Sequence, residues 1–222
     1  MSNITTIRAI RNSLSVARLS TFEAATVSVG DESLAALELY AWNARLSASL
    51  LAPLHICEVV IRNAVSDALA SVYGTNWPWS AVFERSLSNP PVGYSPRKDL
   101  QNSRKGAVTT GKVIPELKFV FWQRVFTGRH DVRLWNTHLR RVLPNLDSAK
   151  SVGQLRQDIY QDIEQIRSLR NRIAHHEPIF KRDLSNDVQK LVTLVEFKCP
   201  LTAGWMMCNQ QATAILSERG YF

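Results

Sequence analysis

The sequence has few cysteines, no long apolar run and no signal-peptide pattern. Its three cysteines, Cys57, Cys199 and Cys208, form an odd and sparse set, which is typical of a protein without a disulfide framework. No run of 18 apolar residues is present, and the first residues lack the apolar core of a signal peptide. We therefore expect a cytoplasmic protein that does not span a membrane.

The sequence also lacks a compact cluster of metal-ligating side chains. His175 and His176 are adjacent and would point apart on a helix, and Cys199 and Cys208 are separated by eight residues, a poor spacing for a ligand pair. We expect no metal and no cofactor.

Negative charge is scarce in the middle of the chain. The net charge is +8, and residues 81–141 hold 12 Lys and Arg against 4 Asp and Glu. Residues 1–80 hold 5 against 6, and residues 142–222 hold 10 against 9. A localised positive field favours a polyanionic partner, nucleic acid before membrane, although a solvated basic face is the alternative.

Helical patterns dominate the chain and predict an all-α fold. Apolar residues recur at three- and four-residue steps from about Leu34 to Leu51 and again from Leu54 to Val72, so we expect Pro53 to kink or break this run and Gly74 to end it. Ser151 and Gln154 have capping-box spacing and predict the start of another helix. Residues 88–112 contain several Gly and Pro and are predicted to form a basic, irregular insertion.

The segment that carries the most chemistry is Arg170-Asn171-Arg172-Ile173-Ala174-His175-His176-Glu177-Pro178. Cleavage of RNA needs a base for the 2′-hydroxyl, an acid for the leaving 5′-oxygen and a cation for the charge of the transition state. Histidine titrates near neutral pH, and arginine stays charged and forks onto phosphate oxygens. Asn171 and His175 stand at i and i+4, on one helix face.

These residues resemble the HEPN superfamily, whose mark is an Arg, a polar residue, three to five others and then a His. Three further segments are similar to its Abi-like branch, bacterial proteins associated with abortive phage infection, and the resemblance spans about residues 34–200. They are Tyr40-Ala-Trp42-Asn43-Ala-Arg-Leu46-Ser-Ala-Ser-Leu50, Glu58-Val-Val-Ile-Arg62-Asn63-Ala64 and Gly111-Lys112-Val113-Ile-Pro-Glu116-Leu-Lys-Phe119-Val-Phe121-Trp122.

The resemblance implies a HEPN-type helical bundle at residues 31–200, an N-terminal extension at 1–30 and a C-terminal tail or helix at 201–222. It also implies a homodimer whose paired motif helices form one metal-independent endoribonuclease site. Arg170 would contact the scissile phosphate, His175 would be the acid or base, and Asn171 would orient either. The expected role is that of a toxin or phage-defence effector, with an antitoxin protein or a regulatory RNA as a possible partner. Some members only bind RNA or scaffold complexes. A non-catalytic RNA-binding module controlled by a regulatory RNA or an antitoxin, and a helical interaction protein, therefore remain alternatives.

Several assignments stay open on sequence alone. His176 either replaces His175 in a longer form of the motif or only caps the helix. Glu58 and Arg62 form either a structural i,i+4 ion pair or a support for Arg170. The basic residues of the middle segment either track the RNA backbone or form a solvated surface; they are Arg97, Lys98, Arg104, Lys105 and Lys112. The tryptophans are predicted to fill the core, with those at 77–79 the exception if any stacks on bases.

Overall fold

The computed structural model describes residues 4–26 and 34–218, and these residues form helices and turns without a β-strand among them. The predicted all-α class is confirmed. In chain order the α-helices are α1 Ile4–Leu14, α2 Val16–Glu23, α3 Leu34–Tyr73, α4 Ala81–Ser86, α5 Pro96–Ser103, α6 Thr110–Val113, α7 Phe119–Val125, α8 Asn136–Val142, α9 Val152–Ala174, α10 Leu184–Lys198, α11 Pro200–Cys208 and α12 Ala212–Ser217.

The chain divides into two compact units. The first unit comprises Met1–Ala52, Leu169–Val188 and Asn209–Phe222, and the second comprises Pro53–Ser168 and Gln189–Cys208. The second unit holds 18 of the 27 Lys and Arg but 11 of the 19 Asp and Glu, so it carries most of the positive charge. The predicted boundaries at residues 30 and 200 stay predictions.

Helix α3 differs from its prediction at Pro53. An interruption was expected there, yet the helix continues from Leu34 to Tyr73 with Pro53 inside it. Apolar side chains are buried at helical spacing on both sides of the proline, namely Leu39, Trp42, Leu46 and Leu50 before it and Leu54, Cys57, Ile61, Ala64, Val65, Ala68 and Leu69 after it. Burying a Leu or Ile contributes about 1.5–3 kcal/mol, so this set outweighs the roughly 3 kcal/mol that an internal proline costs.

The end of α3 agrees with the sequence. Gly74 has a φ of 83°, and its N–H donates to the Ala70 carbonyl at 2.9 Å. Glycine takes this left-handed conformation without the Cβ clash of other residues, which is why the helix ends there. The helix is also long and apolar enough to cross a membrane, but a core helix of a soluble protein passes the same test. The cytoplasmic location therefore stays a prediction.

The expectation that residues 88–112 are irregular is wrong for part of this segment. Helix α5 begins at Pro96, and the Ser95 hydroxyl caps it by accepting a hydrogen bond from the Lys98 N–H at 3.2 Å. Pro at the first helical position is preset for the helix and loses no hydrogen bond there. Proline in this segment therefore starts a helix instead of preventing one, and one further turn, α6, follows.

Tryptophans form much of the core, as predicted. In the second unit, Trp77 lies 5.5 Å from Phe83 and 6.1 Å from Trp122 between ring centroids, and Trp135 stacks on Phe126 at 4.5 Å. In the first unit, the Trp42 indole donates to the Ile215 carbonyl at 2.8 Å. Trp79 is 38% exposed.

Candidate functional site

The start of α9 is built by the capping box that the sequence predicts. The Gln154 side-chain oxygen accepts from the Ser151 N–H at 2.9 Å, and the Ser151 hydroxyl accepts from the Gln154 N–H at 3.3 Å. Apolar side chains at helical spacing follow and are buried: Leu155, Ile159, Ile163, Ile166, Leu169 and Ile173. Because this stripe occupies the buried face of α9, it determines which face is left for the motif side chains.

Pro178 predicts that α9 ends just after the two histidines, because the residue before a proline disfavours helix. The helix, whose end lies in the first unit, instead ends before them. Its last residue is Ala174, and the chain then turns through a Schellman motif. The Glu177 N–H donates to the Arg172 carbonyl at 2.8 Å, and the His176 N–H donates to the Ile173 carbonyl at 3.0 Å. His176 has a φ of 56°, so a histidine occupies the left-handed position where glycine is usual.

The three motif side chains lie at this helix end and are accessible. Arg170 and His175 are exposed, and Asn171 is half-buried. The His175 N–H donates to the Asn171 carbonyl at 2.9 Å, which extends the helical hydrogen bonding by one residue and keeps His175 above Asn171. Among residues 4–26 and 34–218, the side chains of Arg170, Asn171 and His175 form no hydrogen bond or ion pair.

Other residues hold the turn after the motif in place. The Arg172 guanidinium lies 3.6 Å from the Glu177 carboxylate and donates to the Pro178 carbonyl at 3.3 Å. The Arg18 guanidinium, on α2, donates to the His176 carbonyl at 2.5 Å. These contacts fix the backbone of the turn without using the side chains of Arg170 or His175.

Asn43, on α3, is the deepest of these anchors. It is 7% exposed, and its side-chain oxygen accepts hydrogen bonds from the N–H groups of Ile179 at 2.9 Å and Phe180 at 3.2 Å. Both residues are themselves buried, so without Asn43 two main-chain donors would lose their partner. The Phe180 ring packs against Phe22 at 5.1 Å, and Phe22 packs edge-on against Tyr40 at 5.0 Å.

A cavity of about 300 Å³ lies in the first unit beside this turn. Its lining combines small or apolar side chains with a polar set; it consists of Tyr40, Asn43, Ala44, Ser47, Ala48, Leu51, Ile173, His176 and Glu177. His175 and Arg170 do not line it, but His175 directly precedes His176 in the chain.

Glu58 and Arg62 pair with each other in the second unit. Their side chains form an ion pair at i,i+4 spacing, and both are largely shielded from solvent. The Arg62 Nε is buried and has no hydrogen-bond partner in the part of the chain that the structure describes. Of the two interpretations of Glu58 and Arg62, the structural ion pair is therefore present. A role in supporting Arg170 stays a prediction.

The five basic residues of the middle segment fall into two groups. Arg97 donates to the carbonyl of Leu87 at 2.9 Å and to those of the two residues at positions 84 and 85, while Arg104 lies 2.6 Å from the Glu84 carboxylate. These arginines connect α5 and its surroundings to α4. Lys98, Lys105 and Lys112 are exposed, and their ammonium groups have no partner within the described ranges.

Sequence reasoning gave no role to Arg18, Asn43 or Glu177. Asn43 carried a usable signal, because it interrupts a helical face where Leu39, Trp42 and Leu46 are buried. A buried amide on such a face must find hydrogen-bond partners. No group of three or more His, Cys, Asp or Glu side chains within residues 4–26 and 34–218 is arranged to hold a metal ion.

Comparison with protein-family models, with curated proteins and with solved structures finds no match.

Proposed function

We propose that the protein is a metal-independent endoribonuclease of the Abi-like HEPN kind, acting as a toxin or phage-defence effector. The observation that carries the proposal is the accessible Arg170 and His175 at a helix end that other residues anchor. If the motif served only to attach this helix end to its neighbours, its side chains would make those attachments. Instead Arg18, Asn43 and Arg172 make them.

The chemistry follows from the three side chains. Neutral His175 takes the proton of the ribose 2′-hydroxyl, and the 2′-oxygen attacks the adjacent phosphorus. The bond from phosphorus to the 5′-oxygen breaks, and a protonated histidine gives that oxygen its proton. The products are a 2′,3′-cyclic phosphate and a 5′-hydroxyl. Arg170 binds the non-bridging oxygens, where charge develops, and Asn171 orients the phosphate or the imidazole.

A homodimer supplies what one chain lacks. The attacking and leaving oxygens stand on opposite sides of the phosphorus, so one His175 cannot serve as both base and acid. Two copies of the α9 end, facing each other across a two-fold axis, would place a histidine on each side. The exposure of Arg170 and His175 in one chain supports such an arrangement, because the second copy would cover them.

The test is cleavage of end-labelled RNA by the purified protein and by variants, with products identified by their termini. We expect wild type to leave cyclic phosphate ends in the presence of excess EDTA, and His175→Ala and Arg170→Lys to be nearly inactive with melting temperatures close to wild type. His55→Ala and Arg133→Lys are matched controls at exposed positions and should retain activity. Loss of cleavage in EDTA with restoration by a divalent ion, or full activity of His175→Ala, would overturn the mechanism.

A non-catalytic RNA-binding module is the second candidate. The excess positive charge of the second unit and its exposed Lys98, Lys105 and Lys112 favour it. Such a module would bind RNA with a strong salt dependence and leave it intact. Tight binding of wild type to labelled RNA without any cleavage, under conditions in which the protein is folded and dimeric, would support this candidate over the first.

A further inference from the structure

The cavity beside the motif turn carries polar groups in fixed positions. Its volume of about 300 Å³ is at the small end of ligand sites, which suits a single planar ring system better than a longer ligand. Ala44, Ala48, Leu51 and Ile173 give it apolar surface, and Tyr40 adds an aromatic ring. A nucleobase has apolar faces and a polar edge. The apolar residues of the cavity match its faces, and the polar residues match its edge.

Asn43 provides the donor of this cavity. Its oxygen is committed to the N–H groups of Ile179 and Phe180, and these two contacts determine which end of the amide is oxygen and which is nitrogen. The amide nitrogen donates to no residue within 4–26 or 34–218, and the side chain is more than nine-tenths buried. A buried amide with an uncommitted N–H pair, in the wall of a cavity, is ready to donate to a ligand.

Glu177 provides the acceptors. Glu177 lines the same cavity, and its carboxylate has two oxygens that can accept hydrogen bonds. The neighbouring Arg172 guanidinium lies 3.6 Å away, so it balances the charge of the carboxylate and leaves acceptor positions available. His176 and Ser47 add polar groups to the lining.

We propose that this cavity binds a guanine base of RNA, next to the phosphate on which Arg170 and His175 act. The inference rests on the proposed function for its placement along the RNA. Guanine is the one standard RNA base whose pairing edge has a carbonyl acceptor beside two N–H donors. The Asn43 amide nitrogen donates to the O6 of guanine, and the Glu177 carboxylate accepts from its N1–H and N2–H groups. The other three bases place at least one acceptor where the carboxylate requires a donor.

The first measurement is binding of guanosine 3′-monophosphate by calorimetry, compared with the adenosine, cytidine and uridine 3′-monophosphates. This measurement does not depend on cleavage. We expect a preference for the guanosine nucleotide of about tenfold or more, the size of discrimination that one good pair of hydrogen bonds gives. The second measurement maps the nucleotide beside each cleavage site in RNA, where guanine should predominate.

Two isosteric variants test the assigned groups. Glu177→Gln replaces one acceptor oxygen with a donor at an exposed position and should remove the guanosine preference, with little effect on the other nucleotides. Asn43→Asp keeps an oxygen for Ile179 and Phe180 but replaces the free amide donor with an acceptor, and it should have the same effect. Glu196→Gln, at an exposed carboxylate in the second unit, is the control and should bind as wild type does. If Asn43→Asp does not fold, the nucleotide preference of Glu177→Gln alone tests the guanine site.

The outcomes separate this inference from the proposed function. Cleavage without any guanine preference, together with equal or absent binding of all four nucleotides, would refute the proposed guanine site. It would leave the proposed ribonuclease activity standing. Selective binding of the guanosine nucleotide by a protein that never cuts RNA would support the site and overturn the catalytic proposal. Equal weakening of all four nucleotides in Glu177→Gln would show that the carboxylate shapes the cavity without reading the base.

Discussion

The left-handed backbone of His176 makes a prediction that separates the two histidines. His176 occupies the C′ position of a Schellman motif with a φ of 56°, where glycine is the usual residue. A side chain in this conformation costs about 1–2 kcal/mol because Cβ crowds the following carbonyl oxygen. Glycine removes that cost, but it adds freedom to the unfolded chain, which opposes the gain by about 0.4–1 kcal/mol. The imidazole is exposed, so little packing is lost with it.

We therefore expect His176→Gly to stabilise the protein by about 0.5–1 kcal/mol, because relief of the strain exceeds the entropy term. For a chain of this size that corresponds to a rise of roughly 1–4 °C in melting temperature. The assay is urea denaturation supported by thermal unfolding of wild type and variant at equal concentration.

The matched pair of substitutions at His175 is the control. His175 does not have a positive φ, since His176 and Ser15 are the non-glycine residues with that conformation among those described. Glycine should therefore be less stable than alanine at position 175 and more stable than alanine at position 176. A destabilised His176→Gly, or the same order of stabilities at both positions, would refute the argument from strain. Retained cleavage in a stabilised His176→Gly would assign proton transfer to His175.

Three further predictions concern the supports of the site and its surroundings. Asn43→Ala should lower the free energy of unfolding by about 2–4 kcal/mol in urea denaturation, because two buried main-chain donors lose their acceptor, while Asn43→Asp should cost much less. Neutralising Lys98, Lys105 and Lys112 together should weaken RNA binding across all sequences and reduce the log–log salt slope by roughly 0.7 for each phosphate that the protein no longer neutralises; an unchanged slope would exclude this surface as the RNA path. Burial lowers the pKa of His130 to about 4, below its ordinary 6.5, so the unfolded chain binds a proton that the folded one does not. The contribution of neutral His130 to the free energy of unfolding is therefore fully present above about pH 6.5. It is lost as the pH is lowered towards 4, by up to about 3 kcal/mol. His130→Phe should lack this part of the pH dependence.

Local signals predicted helix ends well. Gly74 and the Ser151–Gln154 capping box each act within a few residues of the chain, and both behave as the sequence predicts. Two of the errors arise where a local signal has two meanings. Pro53 lies in a helix that burial holds together on both sides, and Pro96 starts a helix because it occupies the first helical position.

The supports of the motif turn were not predictable from the sequence alone. Asn43 contacts Ile179 and Phe180 across 136 and 137 residues, and Arg18 contacts His176 across 158. No periodicity or spacing rule connects positions so far apart. Sequence reasoning could identify Asn43 as a polar residue on an apolar face, but it could not identify its partners. The same limit applies to the cavity, whose wall combines one face of α3 with the turn after α9.

The separation between anchoring and chemistry gives the motif its experimental signature. The backbone of the turn is held by Asn43, Arg18 and Arg172, whereas the side chains of Arg170 and His175 project from it without hydrogen bonds or ion pairs to other described residues. Changes at the anchors should therefore lower stability and activity together, since a displaced turn moves the reacting groups. Changes at Arg170 or His175 should lower activity alone. A helix end that served only to complete the fold would show the reverse, with stability lost whenever the motif is altered and no activity to lose.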